Sequence, residues 1–398
     1  MSNPILALTP SGYKGQTATA PKVYSVLPSD GSGDFTFDRA NGLATRINKD
    51  GLVEEVANDT PRLDYLNGTC PSLLLEAEST NNFTYSEDYS QSVWVKSNST
   101  ITSFVGISPN GELNASLLTS TGTNGGLFRF AAWTTTQRTI SFFVKKENSE
   151  TVQIWNASAN TNNVVFNLDT GVIISEGGSM TGVIKPLKNN WYRISATHTA
   201  TGSQTFGVIP EDSKSVYVWG GQMENKSFES SYIPTISSTA TRFVDICKDA
   251  GNADLFNVSE LSLFFDVNNF KPDTGSFSYI VLTDGQSSPI NMIRFDYKQD
   301  RIVISNYVNG TLGFFYTITS VVPNQRNKMA LTISTARTKV YFNGVLKITT
   351  AGDNIPSGLN SLSFTNRTKS GGYFEGEVQD ARVYDRVLTE TEAIKLTT

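Results

Sequence analysis

A β-hairpin is predicted at residues 339–346, which read KVYFNGVL. Its centre, Asn343 and Gly344, combines the two residue types that most readily take the positive φ angles of a type I′ turn. Comparable period-two runs bounded by Gly, Asn, Asp and Pro recur along most of the chain, and helical periodicity is nearly absent. Thr389 and Glu392 have capping-box spacing and predict one short helix. The predicted fold class is therefore all-β.

The domain organisation is predicted from length and composition. A chain of 398 residues is too long for one core and corresponds to two or three domains. Residues 1–69 hold Gly-rich stretches and too few apolar residues for a core, so we expect an extended N-terminal arm for attachment or oligomerisation. Residues 70–247 contain all five tryptophans and are predicted to form one sandwich. Residues 248–398 repeat the strand-and-turn rhythm of a second two-sheet sandwich.

Strands are predicted wherever apolar and polar residues alternate. In the middle section they are 127–133, 139–146, 151–156, 164–168, 191–198 and 215–219. In the C-terminal section they are 261–267, 277–282, 292–297, 301–307, 314–319, 328–334 and 339–342.

Charge and hydropathy exclude two classes of partner. The formal net charge is -5 and the pI is near 5.2, so there is no basic field for nucleic acid. No apolar run approaches the roughly 18 to 20 residues that span a bilayer. The first ten residues lack a positively charged n-region, so no Sec signal peptide is predicted. We expect neither a membrane protein nor a conventionally secreted one.

The catalytic inventory is small. The chain has one histidine, His198, and two distant cysteines, Cys70 and Cys247, which excludes a Cys/His zinc site and a CxxC redox pair. His198 shares a strand face with Ile194 and Ala196, so we interpret it as a structural histidine at a sheet end. The two cysteines bracket the tryptophan-rich section and are predicted to lie close together, reduced and buried.

Carboxylate chemistry is the remaining catalytic option. Glu375 and Glu377 share one face of an extended strand, whereas Asp380 is predicted on the other, so the carboxylate set of a glycanase is not reproduced. No catalytic residue and no cofactor are predicted. Asp284, Asp300 and Asp353 lie in loops where a structural calcium is conceivable, but they have no fixed ligand spacing and the metal is left unassigned.

Candidate ligand-binding residues come from tryptophans on polar strand faces. Trp155 alternates with Gln153, and Trp133 shares a face with Arg129. An aromatic ring beside planar hydrogen-bonding side chains can stack on a pyranose ring and hold its hydroxyls. We therefore predict a glycan site at Trp155, Gln153, Trp133 and Arg129; packing between domains or chains is the alternative explanation. Trp191 and Trp219 are predicted to be packing residues.

Two sections also resemble known domain families. YFNG at 341–344 followed by FEGEVQDARVYDRVLT at 374–389 resembles the closing part of concanavalin A-like, laminin-G-like jelly rolls. YSEDY at 85–89, NWYR at 190–193 and YVWGGQME at 217–224 resemble carbohydrate-binding jelly-roll modules appended to glycanases. These resemblances imply two jelly-roll β-sandwiches in tandem, preceded by the extended N-terminal arm.

A longer pattern spans residues 23–76, which we call the leader, and the end of the middle section. It comprises VYSVLP at 23–28, GDF at 33–35, ATRIN at 44–48, PRLDY at 61–65, CPSLLLE at 70–76, SYIPT at 231–235 and ATR at 240–242. This pattern resembles tail-fibre and other surface proteins of bacteriophages and prophages. In that group such a leader precedes a sugar-binding-like sandwich, so the resemblance implies a virion surface location after synthesis in the host cytoplasm.

The function expected from the sequence is that of a non-enzymatic virion fibre or spike that binds host-surface or mucus-like glycans. Its expected partners are those glycans and, through the arm, other virion proteins. A homo-oligomer is expected, with a trimer as the working assumption, and no nucleic acid or membrane partner. Two alternatives stay open, a purely structural decoration or connector protein and a polysaccharide depolymerase.

Overall fold

The computed structural model describes residues 4–10, 35–40, 43–66, 68, 70–133, 137–158, 163–199, 202–256, 258–270, 277–298, 300–319, 321–322, 325–351, 355–368 and 370–398; no side-chain structure is described for 131–133. Strands account for 56% of the described residues and helices for 4%. The predicted all-β class is therefore confirmed. Within the described ranges, no helix is long and apolar enough to cross a membrane.

The elements are named here in chain order. The first strands are β1 (Leu6–Leu8), β2 (Thr36–Asp38), β3 (Ala44–Ile47), β4 (Val53–Val56), β5 (Arg62–Asp64), β6 (Ser72–Leu75) and β7 (Ser79–Asn81). The next are β8 (Trp94–Ser97), β9 (Ser99–Ile107), β10 (Leu113–Ser120), β11 (Gly126–Trp133), β12 (Gln137–Lys146), β13 (Thr151–Asn156), β14 (Asn163–Asn167), β15 (Val172–Glu176), β16 (Met180–Pro186), β17 (Trp191–Thr199), β18 (Gly202–Pro210) and β19 (Ser215–Glu224). The last are β20 (Ala240–Arg242), β21 (Ile246–Lys248), α1 (Ala253–Phe256), β22 (Glu260–Asn269), β23 (Ser278–Thr283), β24 (Met292–Tyr297), β25 (Arg301–Val308), β26 (Thr311–Thr319), β27 (Arg326–Ser334), β28 (Arg337–Phe342), β29 (Val345–Ala351), β30 (Ser361–Ser363), β31 (Gly376–Tyr384) and α2 (Glu390–Thr397).

Local turn and cap chemistry determines the two elements with the clearest sequence signals. Asn343 and Gly344 have φ angles of 45° and 78° and join β28 to β29, as a type I′ turn requires. The side chain of Thr389 accepts a hydrogen bond from the backbone N–H of Glu392, and the Glu392 side chain accepts one from the backbone of Thr389, which completes the capping box of α2. Both predictions are confirmed.

The chain forms two compact units, and each is discontinuous in sequence. The terminal unit comprises Met1–Ala40, Asn58–Ala77 and Val244–Thr398, and the central unit comprises Asn41–Ala57 and Glu78–Phe243. These units differ from the predicted boundaries at residues 69 and 247, because short leader strands pair with partners far along the chain. Residues 11–34, which include the VYSVLP motif, lie outside the described ranges.

The terminal unit contains two large sheets around one core. The first has the order β29-β28-β27-β22-β31-β6-β5, and β1 also pairs with β31. The second has the order β26-β25-β24-β23-β30. Leu6 and Leu8 of β1 are fully buried in the core of this unit. Residues 6–8, which were predicted to belong to an extended arm, are therefore a strand of the sandwich.

The central unit is built on two six-stranded sheets. Their orders are β16-β17-β12-β19-β10-β9 and β15-β14-β13-β18-β11-β8. The β3–β4 hairpin from the leader belongs to the same unit, and the Thr45 hydroxyl donates a hydrogen bond of 2.6 Å to the carbonyl of Tyr232. Two motifs of the phage-like pattern, ATRIN and SYIPT, are thus in direct contact.

Candidate functional site

Trp155 lies on the outward side of the sheet β15-β14-β13-β18-β11-β8, which we call the Trp155 face. Its strand β13 alternates strictly, with Val152 and Ile154 buried in the core. Gln153 and Trp155 point the other way and are half-buried. The strand alternation predicted for these two residues matches the structure.

Phe128 forms an aromatic pair with Trp155. The ring centroids are 6.0 Å apart and the ring planes meet at 69°, an edge-to-face arrangement. Gly207 lies between the two residues, since it pairs with Phe128 on one side and with Trp155 on the other. A Cβ at Gly207 would lie 2.4 Å from Cδ1 of Phe128, so the ring rests directly on the glycine backbone.

Hydrogen-bonding groups adjoin this aromatic pair. The Asn163 side-chain amide donates a hydrogen bond of 2.9 Å to Oε1 of Gln153, which fixes the orientation of both amides. Beside Gln153 is a cavity of about 160 Å³. Its lining consists of Asn124, Thr151, Val152, Gln153, Val165, Ile209, Pro210, Glu211 and Asp212. The Trp155 face therefore combines aromatic surface, oriented amides and a polar depression.

Arg129 does not belong to this face, so the predicted grouping with Trp155 is wrong. Leu127 of the same strand points into the core, and Arg129 shares that inward side. Its guanidinium carbon is 5.7 Å from the ring centroid of Trp94, and Nη1 and Nη2 donate hydrogen bonds of 3.0 Å to the Val93 carbonyl and the Thr84 hydroxyl. Burial lowers the pKa of Arg129. The residue is a structural part of the sandwich.

Trp133 ends β11, where its backbone pairs with Gly202. Its side chain lies outside the described structure, so its predicted contact with glycan stays a prediction. Phe128, Asn163 and Gly207 were missed by the sequence analysis. Asn163 and Gly207 pair with Trp155 from the two adjacent strands, and Phe128 lies one strand further, opposite Gly207. A register between strands cannot be derived from one strand's own alternation.

The outward side of the other six-stranded sheet of the central unit is covered by its own chain. Val53 of the β3–β4 hairpin and Tyr232 pack there against Trp191, Trp219 and Phe143. Both tryptophans are at most 2% exposed, so the prediction that they are packing residues is confirmed. On this sheet both tryptophans are thus covered, whereas Trp155 on the opposite sheet stays half-buried beside Gln153.

His198 is a structural histidine, as predicted. It is 3% exposed near the end of β17, with its ring centroid 5.9 Å from that of Phe206. Nδ1 lies 3.0 Å from the Ser179 hydroxyl and Nε2 lies 3.4 Å from the Asn156 side-chain amide. Burial lowers the pKa of His198 below its ordinary value of 6.5.

The closing strand β31 carries a β-bulge, and because of it the predicted arrangement of the carboxylates is wrong. Asp266 pairs with Asp380 and Asn268 pairs with Glu377, so Gln379 is an extra residue in β31. Glu377 and Asp380 consequently share the outward side, contrary to the prediction.

The two aspartates of this cluster are engaged by arginines. Arg326 donates to both carboxylate oxygens of Asp266, and Nε of Arg382 donates to Oδ1 of Asp380 at 3.0 Å. Burial raises the pKa of Asp380. A retaining glycosidase needs one carboxylate able to attack the sugar, and an aspartate held on both oxygens by a guanidinium is poorly suited to that role.

The loops in which a calcium was left unassigned and the two cysteines have the following surroundings. Across the described residues, no group of three or more His, Cys, Asp or Glu side chains is placed to hold a metal ion. The Asp284 carboxylate accepts backbone N–H groups of its own loop, including that of Asn291 at 3.0 Å, and Asp353 lies outside the described residues. Cys70 and Cys247 are free thiols. Cys70 is exposed, so the prediction that both are buried is wrong for Cys70.

One comparison by sequence identifies the C-terminal sandwich. Residues 261–393, about one third of the 398, match the concanavalin A-like lectin/glucanases superfamily. This segment contains the hairpin and the capping box, so the concanavalin A-like character predicted for it is confirmed. No curated protein matches the chain. The resemblance of the leader to bacteriophage proteins stays a prediction.

Several solved structures are similar in fold. The CBM40 of the Ruminococcus gnavus IT-sialidase, bound to alpha2,3 sialyllactose, is 14% identical, with coverage of 37% of this chain and 92% of that chain and a TM-score of 0.32. A heptameric SAP-like pentraxin from Limulus polyphemus is 17% identical, with coverage of 35% and 70% and a TM-score of 0.28. The NanB sialidase of Streptococcus pneumoniae is 12% identical, with coverage of 37% of this chain and 25% of that chain and a TM-score of 0.32. Similarity at this level carries no information about ligands.

Proposed function

We propose that this protein is a non-enzymatic glycan-binding protein and that its binding site is the Trp155 face. The observation that carries the proposal is the edge-to-face pair of Trp155 and Phe128 on the side of the sheet opposite the core. A half-buried ring held by a neighbouring ring is a rigid platform for the apolar side of a pyranose. The oriented amides of Gln153 and Asn163 then serve the sugar hydroxyls.

The charge of the adjoining cavity selects the class of sugar. Glu211 and Asp212 line it, and the described lining contains no Lys or Arg side chain. A carboxylate or sulfate on the sugar would be repelled there, whereas hydroxyl and amine groups can donate to these acids. Neutral glycans and amino sugars are therefore the expected ligands.

The biological setting is proposed from the leader. Its resemblance to tail-fibre proteins supports a virion surface component, a fibre or spike, made in the host cytoplasm and attached to other virion proteins. The glycans would then be those of a host surface or of mucus. A shallow site gives weak affinity, so display of several copies, in a homo-oligomer such as a trimer and in many copies per particle, would raise the apparent affinity by about two to four orders of magnitude.

A glycan array probed with the purified chain, displayed multivalently on beads, tests this function. Trp155→Ala should lower binding at least about tenfold, since it removes the stacking platform and the partner of Phe128. Its unfolding free energy should change by no more than about 1 to 2 kcal/mol because Trp155 lies outside the core. Phe104→Ala is the matched control, since Phe104 is 46% exposed on β9 of the other sheet.

Three results would contradict the proposal in different ways. If Trp155→Ala leaves glycan binding unchanged, the Trp155 face is not the binding site. A chain that binds no glycan would favour the structural connector. Release of reducing sugar from a bound polysaccharide would favour the depolymerase, and Asp380→Asn would then show whether the β31 cluster is responsible.

A further inference from the structure

The five-stranded sheet of the terminal unit carries a second cluster of aromatic and polar groups on its outward side. Arg294 lies on the central strand β24, between Ile293 and Phe295, which are both buried in the core. Its side chain therefore leaves the sheet on the outward side. Tyr279 of β23 and Tyr307 of β25 flank it, with their ring centroids 5.5 Å and 5.9 Å from the guanidinium carbon.

The charge of Arg294 is balanced within the cluster. Its Nε donates to Oδ1 of Asp296 at 3.2 Å, and its Nη2 donates to Oδ2 of the same carboxylate. Asp296 is 6% exposed, and burial raises its pKa. Nη1 of Arg294 has no hydrogen-bond partner among the described residues. The pair thus presents remaining donors and acceptors without a net charge.

An exposed apolar edge extends this surface. Ser305 pairs with Arg294 on one side and with Phe315 on the other, so the two larger residues lie in one row across the sheet. Phe315 is 58% exposed and Leu312, which pairs with Tyr307, is 47% exposed. Ser305 itself is buried beneath its neighbours. Tyr279, Arg294, Tyr307 and Phe315 therefore share the outward side of this sheet, which we call the Arg294 face.

We propose that the Arg294 face is a second, independent binding site for neutral glycans. A pyranose stacked on Tyr307 and Phe315 would place its hydroxyls over the Arg294–Asp296 pair, where one hydroxyl accepts from Nη1 and a neighbouring one donates to the carboxylate. The adjacent donor and acceptor fit two hydroxyl groups on neighbouring carbons of the sugar ring. The arrangement disfavours an acidic sugar, because a sugar carboxylate that accepts from Nη1 would lie beside the Asp296 carboxylate and be repelled by it.

The consequence is a chain with one glycan site in each unit. Two weak sites on one chain raise its apparent affinity for a repeating polysaccharide without any new contact. The inference goes beyond the proposed function, since it concerns a different unit and different residues. It holds or fails independently of Trp155.

Full-length variants separate the two sites. The probes are an array of neutral gluco-, galacto- and chito-oligosaccharides, with sialyllactose as the acidic comparison. A Trp155→Ala chain should keep measurable binding to at least one neutral glycan, and adding Tyr307→Ala or Phe315→Ala should weaken that remaining binding by about 2- to 10-fold per ring. Val345→Ala is the matched control, since Val345 is 52% exposed on the other sheet of the terminal unit.

The outcomes are distinct. Complete loss of binding in Trp155→Ala would overturn the second site. Residual binding that neither Tyr307→Ala nor Phe315→Ala weakens would overturn it as well. A preference of the residual binding for sialyllactose would also overturn it, because the charge argument would be wrong. Binding that survives Trp155→Ala fully and disappears with Phe315→Ala would support the Arg294 face and remove the Trp155 face. Thermal unfolding of each variant checks that the terminal unit is intact.

Discussion

Arg129 stabilises the central sandwich through its position over Trp94. Its two terminal nitrogens bind a carbonyl and a hydroxyl of the preceding segment, at Val93 and Thr84. A cation over an indole and two hydrogen bonds to partly buried groups are features of a folded core edge. At the residue scale, the distinction between a binding arginine and a structural one depends on which side of a strand it occupies.

The first residue-scale prediction concerns Arg129→Gln. We expect the unfolding free energy to fall by about 1 to 2 kcal/mol, because two partly buried acceptors lose their donors and the cation over Trp94 is removed. Glycan binding per folded molecule should stay the same. Urea unfolding measures the stability, and a glycan array measures the binding. A variant with normal stability that no longer binds glycan would show that Arg129 belongs to the binding site.

The second concerns His198 and pH. Because burial holds the pKa of His198 below 6.5, the folded protein resists a proton that the unfolded chain accepts. The stability associated with the neutral ring is complete above pH of about 6.5 and is lost as the pH falls through the folded pKa. His198→Gln should reduce this pH dependence. Equal slopes of unfolding free energy between pH 7 and 5 for both proteins would contradict the argument.

At the scale of elements, a buried ionic cluster joins three separate segments of the terminal unit. Asp245, which precedes β21, accepts from Arg39 at 3.0 Å and from Arg62 of β5, and Arg62 donates to Glu76 at 2.8 Å. The backbone N–H of Glu76 donates to Asp245 at 2.9 Å. The PRLDY and CPSLLLE motifs of the leader are therefore explained by a structural network within the fold.

Removing one charge from this cluster tests it. Asp245→Asn leaves the side chains of Arg39 and Arg62 without their shared carboxylate, and we expect a loss of about 3 to 5 kcal/mol in the unfolding free energy. Glu54→Gln is the control, because the Arg46–Glu54 pair is solvent-accessible, with side chains 26% and 42% exposed. Chemical denaturation should show a clear shift for the first variant and almost none for the control.

At the scale of the whole molecule, the start of the chain completes a sheet near its end. β1 pairs with β31 in antiparallel register from Leu6 opposite Val383 to Leu8 opposite Ala381. A short strand of this kind has little stability alone and gains it by burying its side chains and by occupying an otherwise open edge.

Deleting residues 1–10 should therefore destabilise the terminal unit. Loss of Leu6 and Leu8 removes two fully buried side chains, each worth about 1.5 to 3 kcal/mol, and exposes the edge of β31. Differential scanning calorimetry should show a lower unfolding temperature and a greater tendency to aggregate. The double variant Leu6→Ala and Leu8→Ala keeps the backbone pairing and separates the two effects, and a truncated chain that melts at the original temperature would contradict the assignment.

The sequence by itself determined the class of the fold and much of its local structure. The strands Thr151–Asn156 and Met292–Tyr297 match their predicted bounds, and the Asn343–Gly344 turn and the α2 cap were predicted with their mechanisms. These features follow from dihedral preferences and from alternation over a few residues, so they are present in any short window of the chain.

Tertiary structure decided the division into two discontinuous units and the composition of both candidate sites. The pairing of Phe128 with Trp155 across Gly207, the bulge at Gln379 and the flanking of Arg294 by Tyr279 and Tyr307 all depend on the register between different strands. A shift of one residue in register moves every side chain to the other side of its sheet. Alternation distinguishes the apolar side of one strand from its polar side, and only the pairing with neighbouring strands determines which residues of different strands meet.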